Sequence, residues 1–143
     1  IIVLDAFSSD AIPVHLLTDE AISTYLRHLA PGGTLAVHIS NRSLNLEPVV
    51  MLLAERHRLQ AAIVHDSDET ADGGNLETLG MYASDWVLLA RDRKVLDRPV
   101  IESAGSHAQP IPPRVRLWTD EQSDLLSILL TEPGTFLHWL KNL

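Results

Sequence analysis

Apolar and polar residues fall along this chain in blocks whose period changes with position. The first block, Ile1 to Leu4, is four large apolar residues without a polar break, stopped by Asp5. Such a run reads as a strand buried on both faces, as in parallel sheets covered by helices. Ser8, Ser9 and Asp10 then line a loop, and Pro13 and His15 lead out of it. Thr18 is placed to cap a helix, with Asp19 and Glu20 in the first turn where the helix dipole favours acids. Ala21, Ile22, Tyr25, Leu26 and Leu29 recur at helical spacing, and Pro31-Gly32-Gly33 ends the helix. Residues 34–39 form the next apolar block and predict a second strand, running out at Ser40-Asn41-Arg42. Strand, helix, short turn and strand make the crossover unit of a parallel sheet.

The pattern then repeats. Ser43 or Asn45 is placed to cap a second helix, with Pro48 tolerated in its first turn and Leu46, Val49, Val50, Leu53 and His57 along its inner face. Residues 60–65 predict a third strand. Residues 66–80 are acidic and Gly-containing, with little to bury, and predict a mobile loop. Residues 82–90 predict a fourth strand, antiparallel because it returns from the third like a hairpin, closed by Arg91-Asp92-Arg93. Between 97 and 116 the composition turns to Pro99, Pro110, Pro112 and Pro113 with Ser103, Gly105 and Ser106, which predicts a linker or a long wrap over the surface. Thr119-Asp120-Glu121-Gln122 fits a capping box opening a helix through Leu125, Leu126, Ile128, Leu129 and Leu130. After Pro133-Gly134 a last helix carries Phe136, Leu137, Trp139 and Leu140. The organisation expected is residues 1–96 as one α/β unit, 97–116 as linker or wrap, and 117–143 as a helical segment packed on the same unit.

Composition narrows the classes. The chain has 143 residues, 45% of them hydrophobic and 21% charged, enough for one domain with a sizeable core. No apolar run approaches the length of a membrane span. There is no cysteine, which excludes disulfides, thiolate metal sites and cysteine nucleophiles and fits a cytoplasmic protein. The net charge of −8 argues against nucleic acid as a partner, because phosphate binding needs clustered Lys and Arg. It is compatible with a cationic ligand. The chain also opens on Ile1 in full strand stride, which reads as the interior of a longer protein.

Ligands of open α/β sheets bind in the crevice outside the carboxyl ends of the strands. Asp5, Ser8, Ser9 and Asp10 stand at that rim and are the first candidates for a site; the plainer reading makes Asp5 a loop cap and 8–10 a turn. Residues 66–77 imitate an EF-hand loop at positions one, three and twelve (Asp66, Asp68 and Glu77), but Ala71 stands where the sharp turn needs glycine. The seven histidines show no paired metal-ligand spacing. His57 reads as a helix-face residue and His38 as a strand residue near the rim. Ser8 or Ser9 with His15 or His38 lacks the Gly-x-Ser-x-Gly elbow of a hydrolase. Trp86 and Trp118 read as packing anchors. No metal site is expected.

Two stretches carry a family resemblance. Residues 2–18, Ile2-Val3-Leu4-Asp5-Ala6-Phe7-Ser8-Ser9-Asp10-Ala11-Ile12-Pro13-Val14-His15-Leu16-Leu17-Thr18, resemble the segment after the fourth strand of spermidine-synthase-like proteins. Residues 117–126, opening Leu117-Trp118-Thr119-Asp120-Glu121, resemble the Trp-Thr-Asp-Asp-type motif near the end of the same group, especially its bacterial members. Leu29-Ala30-Pro31-Gly32-Gly33 is the helix exit common in the wider superfamily. The resemblance implies an α/β fold, the carboxyl half of a Rossmann-like class I methyltransferase fold with a final antiparallel strand. It implies a transferase of polyamine biosynthesis that moves an aminopropyl group from decarboxylated S-adenosylmethionine to an amine. The alternatives are a small-molecule methyltransferase using S-adenosylmethionine and a non-catalytic scaffold module retaining the fold.

By the same resemblance Asp10 contacts the attacking amine and takes its proton or orients it. Asp5, also assigned to catalysis, lies with Ala6 and Phe7 beside the donor nucleoside, and Ser8, Ser9 and Asp10 hold the acceptor. Two departures accompany it. The family's Asp-Ser-Ser-Asp-Pro spacing is lengthened by Ala6-Phe7, with Ala11 in place of the Pro. No Gly-x-Gly-x-x-Gly turn occurs in these residues, so the chain alone is expected to bind no donor. With the partner half of the sheet absent from it, the opening strand is expected to leave an open edge and to drive self-association as a two-fold dimer. A polyamine or other small amine is the expected ligand.

Overall fold

The computed structural model describes residues 1–5, 13–41, 43–65, 84–106 and 108–130. The elements are β1 (Ile2–Leu4), α1 (Asp19–His28), β2 (Thr34–His38), α2 (Glu47–Arg56), β3 (Gln60–His65), β4 (Asp85–Ala90), α3 (Pro99–Ala104) and β5 (Gly105–Ser106). Short 3-10 turns at Val14–Leu16, Arg93–Val95 and Leu126–Ile128 join them. The protein is α/β, with one mixed sheet in the order β1-β2-β4-β3-β5. β1 and β2 are parallel, and β4 runs antiparallel to both β2 and β3, so β1, β2 and β3 share one direction. The two-residue β5 is antiparallel on the outer edge of β3.

α1 forms where the pattern places it. Thr18 is its N-cap, accepting from the Ala21 amide at 3.2 Å, and Gly32, at φ +70°, makes the turn into β2. α2 begins one residue later than the predicted caps: Leu46 is the N-cap, while the Asn45 carboxamide accepts from the Glu47 amide. Its inner face is as expected, with Leu46, Val49, Val50 and Leu53 buried.

Register separates the two faces of the sheet. Ile2, Leu4, Leu35, Val37, Ile63, Val87 and Leu89 align across the strands and join Leu17, Ile22, Val49, Val50 and Leu53 in one core. α1 and α2 therefore cover the same face. The other face carries Val3, Ala36, Leu88 and Ala62. Here the opening strand departs from expectation. It is not buried on both faces: Val3 is 53% exposed and Ile1 83%. β1 is the edge of the sheet among the described residues, and no described helix packs over Val3.

Residues 97–116 hold a short helix the Pro content did not announce: Pro99 sits in its first turn, where the missing N–H costs nothing. Beyond β5 the chain wraps α2, with the Gln109 amide donating to the buried Glu47 carboxylate at 2.7 Å and Val115 entering the core. The capping-box helix at 119 does not form. Thr119 and Gln122 exchange backbone hydrogen bonds across a turn, and the Asp120 carboxylate accepts instead from the Thr18 hydroxyl. The Thr119 hydroxyl does accept from the Gln122 amide at 3.1 Å, as a cap would, but the chain closes a turn there and does not continue as a helix. Only the turn at Leu126–Ile128 is helical there, and Leu129 bridges antiparallel to Leu44. The expected mobile loop at 66–80 and last helix at 136–140 lie outside the described residues.

Candidate functional site

Because β1, β2 and β3 run together, their carboxyl ends reach one rim, and reversed β4 starts at that same rim. One step past the Leu4–Val37 pair, Asp5 of β1 meets His38 of β2, and His38 in turn aligns with Trp86 of β4. All three side chains lie on the face opposite α1 and α2. Asp5 Oδ1 is 2.9 Å from His38 Nδ1. The Trp86 ring stacks on the imidazole, centroids 4.7 Å apart and planes 21° from parallel. The Trp86 indole N–H donates to Ser84 Oγ at 3.0 Å, fixing the outer ring. His38 is 20% exposed and Asp5 57%, so the imidazole is sheltered while the carboxylate stays wet.

The backbone beneath is tied across the rim. The Ile39 amide donates to the Asp85 carbonyl at 2.8 Å, and the Asp85 amide donates to Ser40 Oγ at 2.6 Å. The Asn41 carboxamide then accepts from the amides of Ser43 and Leu44, turning the chain toward α2. A second acid–histidine pair, Asp85 Oδ1 with His65 Nδ1 at 2.6 Å, stands on the same rim but on the other face. The two pairs cannot act on one small ligand from the same side.

The helix α1 crosses back between parallel strands, so its N-terminus lies at the same end as the rim. There residues 118–120 dock on 18–20. The Asp19 amide donates to the Trp118 carbonyl at 2.9 Å, the Thr18 hydroxyl to Asp120 Oδ1 at 2.7 Å, and the Asp120 amide to Glu20 Oε2 at 3.0 Å. Trp118 is 1% exposed beneath this clasp. A cavity of about 270 Å³ opens between Val14, His15 and Thr18 on one side and Thr119 to Ser123 on the other. A larger one, about 430 Å³, lies away from the rim beside the amino half of β3, walled by Ile63, Leu96 and Ile101. Its Arg93 is already engaged with Asp97.

Of the residues predicted for the site, Asp5 is at the rim as expected. Ala6, Phe7, Ser8, Ser9 and Asp10 lie outside the described residues, as does the EF-hand-like run. His57, the C-cap of α2, is a pairing residue: its Nε2 lies 2.7 Å from Asp19 Oδ1. No cluster of three or more His, Asp or Glu side chains suited to a metal occurs among the described residues. Tyr25 has its pKa raised by burial, and its hydroxyl donates to the Leu16 carbonyl. His38 is the residue that sequence reasoning underweighted. The available signal was a histidine ending an apolar strand just before Ser-Asn, at the strand end where ligands bind.

No family model matches this chain, and neither a characterised protein nor a solved structure shows significant similarity to it.

Proposed function

We propose that this chain is the acceptor-side half of a spermidine-synthase-like transferase with a Rossmann-like methyltransferase fold. Its chemistry is transfer of an aminopropyl group from a sulfonium donor, decarboxylated S-adenosylmethionine, to a small amine. The observation that carries the reading is the meeting of residues 118–120 with 18–20, since the two segments that hold the resemblance are about a hundred positions apart. Parallel β1 and β2 with a crossover helix, followed by antiparallel β4, supports it as well. So does the carboxylate of Asp5 at the strand end, because a protonated amine needs an anion to hold it. Asp10 keeps the acceptor role that the resemblance gives it, with Ser8 and Ser9 beside it. Asp5, Ala6 and Phe7 keep the position beside the donor nucleoside.

A second reading is a scaffold module that keeps the fold without donor binding. Calorimetry separates the two. The transferase reading expects the 143-residue chain to bind 1,4-diaminobutane or spermidine weakly and to show no affinity for S-adenosylmethionine or its decarboxylated form. Binding of neither amine leaves the scaffold reading. Tight stoichiometric donor binding overturns the assignment of this chain to the acceptor side.

A further inference from the structure

We propose that the cavity beside the amino half of β3 binds a small α-amino acid with an aliphatic side chain. This cavity lies away from the rim, so its ligand is independent of the transferase reading. Its volume, about 430 Å³, is within the range of sites that hold small molecules. The space exists because β5 stops early. β5 pairs with β3 only at Ile63 and Val64, and among the described residues no strand flanks the outer side of Ala61 and Ala62. Ala61, Ala62, Gly105 and Ala108 line the space and put little bulk into it. Gly105 cannot be larger, since a Cβ there would meet the Ile101 carbonyl at 2.9 Å. Buried Ile63 and Leu96 and half-buried Ile101 supply the apolar wall.

Two residues of opposite charge, Arg93 and Glu102, line the same space. Arg93 is steadied from two sides: Nη1 donates to the Ala61 carbonyl at 3.3 Å and Nε to Asp97 Oδ1 at 2.9 Å. The pair with Asp97 is exposed, at 57% and 49%, so water screens it and leaves the guanidinium able to hold a second anion. Among the described residues Arg93 Nη2 has no partner, and neither has the exposed Glu102 carboxylate. A fatty-acid-like ligand would set its head against Glu102, and a plain alkylamine would set its head against Arg93. An amino acid satisfies both. Its carboxylate takes charge-assisted hydrogen bonds from Arg93, its ammonium donates to Glu102, and its side chain enters between Ile63, Leu96 and Ile101.

Backbone amide spectra of the 143-residue chain, titrated with L-leucine, test this. Saturable shifts are expected at Ala61, Ala62, Ile101 and Gly105, with a Kd of about 1 mM for so small a ligand. Isovalerate, which lacks the ammonium, and isopentylamine, which lacks the carboxylate, should each bind about tenfold more weakly. Glycine, without a side chain, should not bind. Arg93→Gln and Glu102→Gln should each weaken leucine about tenfold, and Ala108→Leu, which fills the space from an exposed position, should abolish the shifts. All three positions are exposed, so the variants are expected to fold; unchanged urea midpoints check that. No saturation by about 20 mM leucine, or shifts confined to other residues, overturns the proposal. So does leucine binding that is unaltered in Arg93→Gln or in Glu102→Gln, or isovalerate or isopentylamine binding as tightly as leucine. The transferase reading survives each of these results, since its own test uses diamines.

Discussion

Removing the Thr18 hydroxyl while keeping its shape is the sharpest test of how the two ends of this chain hold each other. Thr18 is 1% exposed and its single hydroxyl does two things. As an acceptor it caps α1 through the Ala21 amide at 3.2 Å; as a donor it reaches Asp120 Oδ1 at 2.7 Å, far closer than its alternative, the His15 carbonyl at 3.5 Å. Thr18→Val preserves the branched volume and removes both bonds. Loss of an N-cap costs about 1 kcal/mol. A hydrogen bond to a charged acceptor is worth about 1.5–3 kcal/mol when buried, but Asp120 is exposed and rehydrates, which brings its share to about 1 kcal/mol.

The expected loss is therefore about 2 kcal/mol, a sizeable part of the roughly 5–15 kcal/mol that holds a domain folded. Urea unfolding should show a lower midpoint with an unchanged slope, and the melting temperature should fall by about 6 °C. Thr18→Ser, which keeps both bonds and gives up one methyl, should lose less than about 1 kcal/mol. Asp120→Ala should lose about 1 kcal/mol, and the double variant with Thr18→Val should be more stable than the sum of the two losses predicts, by about 0.5–1 kcal/mol. A Thr18→Val cost below about 0.5 kcal/mol, or strict additivity with Asp120→Ala, refutes the clasp. The proposed function would then lose the observation that carries it.

Two further outcomes follow from particular side chains. Burial favours the neutral phenol of Tyr25 and raises its pKa above the ordinary 10.0, so its contribution to stability is complete below pH ~10 and declines as pH rises through the folded value; the chain should lose stability in urea above pH ~10 more steeply than Tyr25→Phe does, and equal slopes would remove the effect. The outer edge of β1, with Val3 and Ile1 exposed, is the surface on which we propose that the chain associates with a second copy: light scattering at micromolar concentration should give a two-fold dimer, Val3→Lys should give a monomer, and a monomeric parent chain would discard the idea.

The alternation of apolar blocks made most of the sheet legible, because the core face imposes its own period. Residues 60–65 are a strand because Ile63 must face α2 while its neighbours do not, and no local choice competes with that. Thr18 as a cap was readable for the same reason: its signal is local, and so is the bond it makes. The segment from Thr119 defeated the reading because its local and tertiary demands conflict. The cap bond itself forms, Thr119 Oγ1 accepting from the Gln122 amide, but Asp120 within the same turn is held by Thr18 and Glu20 of α1's first turn, and the backbone does not go on as a helix. The burial of β1 was overestimated for a related reason. An unbroken apolar run reports what a strand can bury, and Val3 shows that the described residues do not supply a cover for it.

The candidate site was half legible, and the missing half depends on strand order. Sequence order shows that Asp5 and His38 each end a strand, and a parallel pair puts both ends at one rim. The predicted reversal of β4 puts Trp86 at that rim too, but sequence order does not show that β4 lies between β2 and β3, which is what sets Trp86 beside His38. In a wholly parallel sheet the first residues of β4 would lie at the opposite rim, some five residues' rise from His38. Reversal of β4 brings its amino end to the carboxyl ends of β2 and β3, so Ser84, Asp85 and Trp86 enter the site as a group. One consequence is the stack that holds His38; another is the backbone bond between Ile39 and Asp85 that fixes the loop leaving β2. The antiparallel strand therefore does more than close the sheet. It supplies the aromatic wall against which an acid–histidine pair from two parallel strands is held in one orientation.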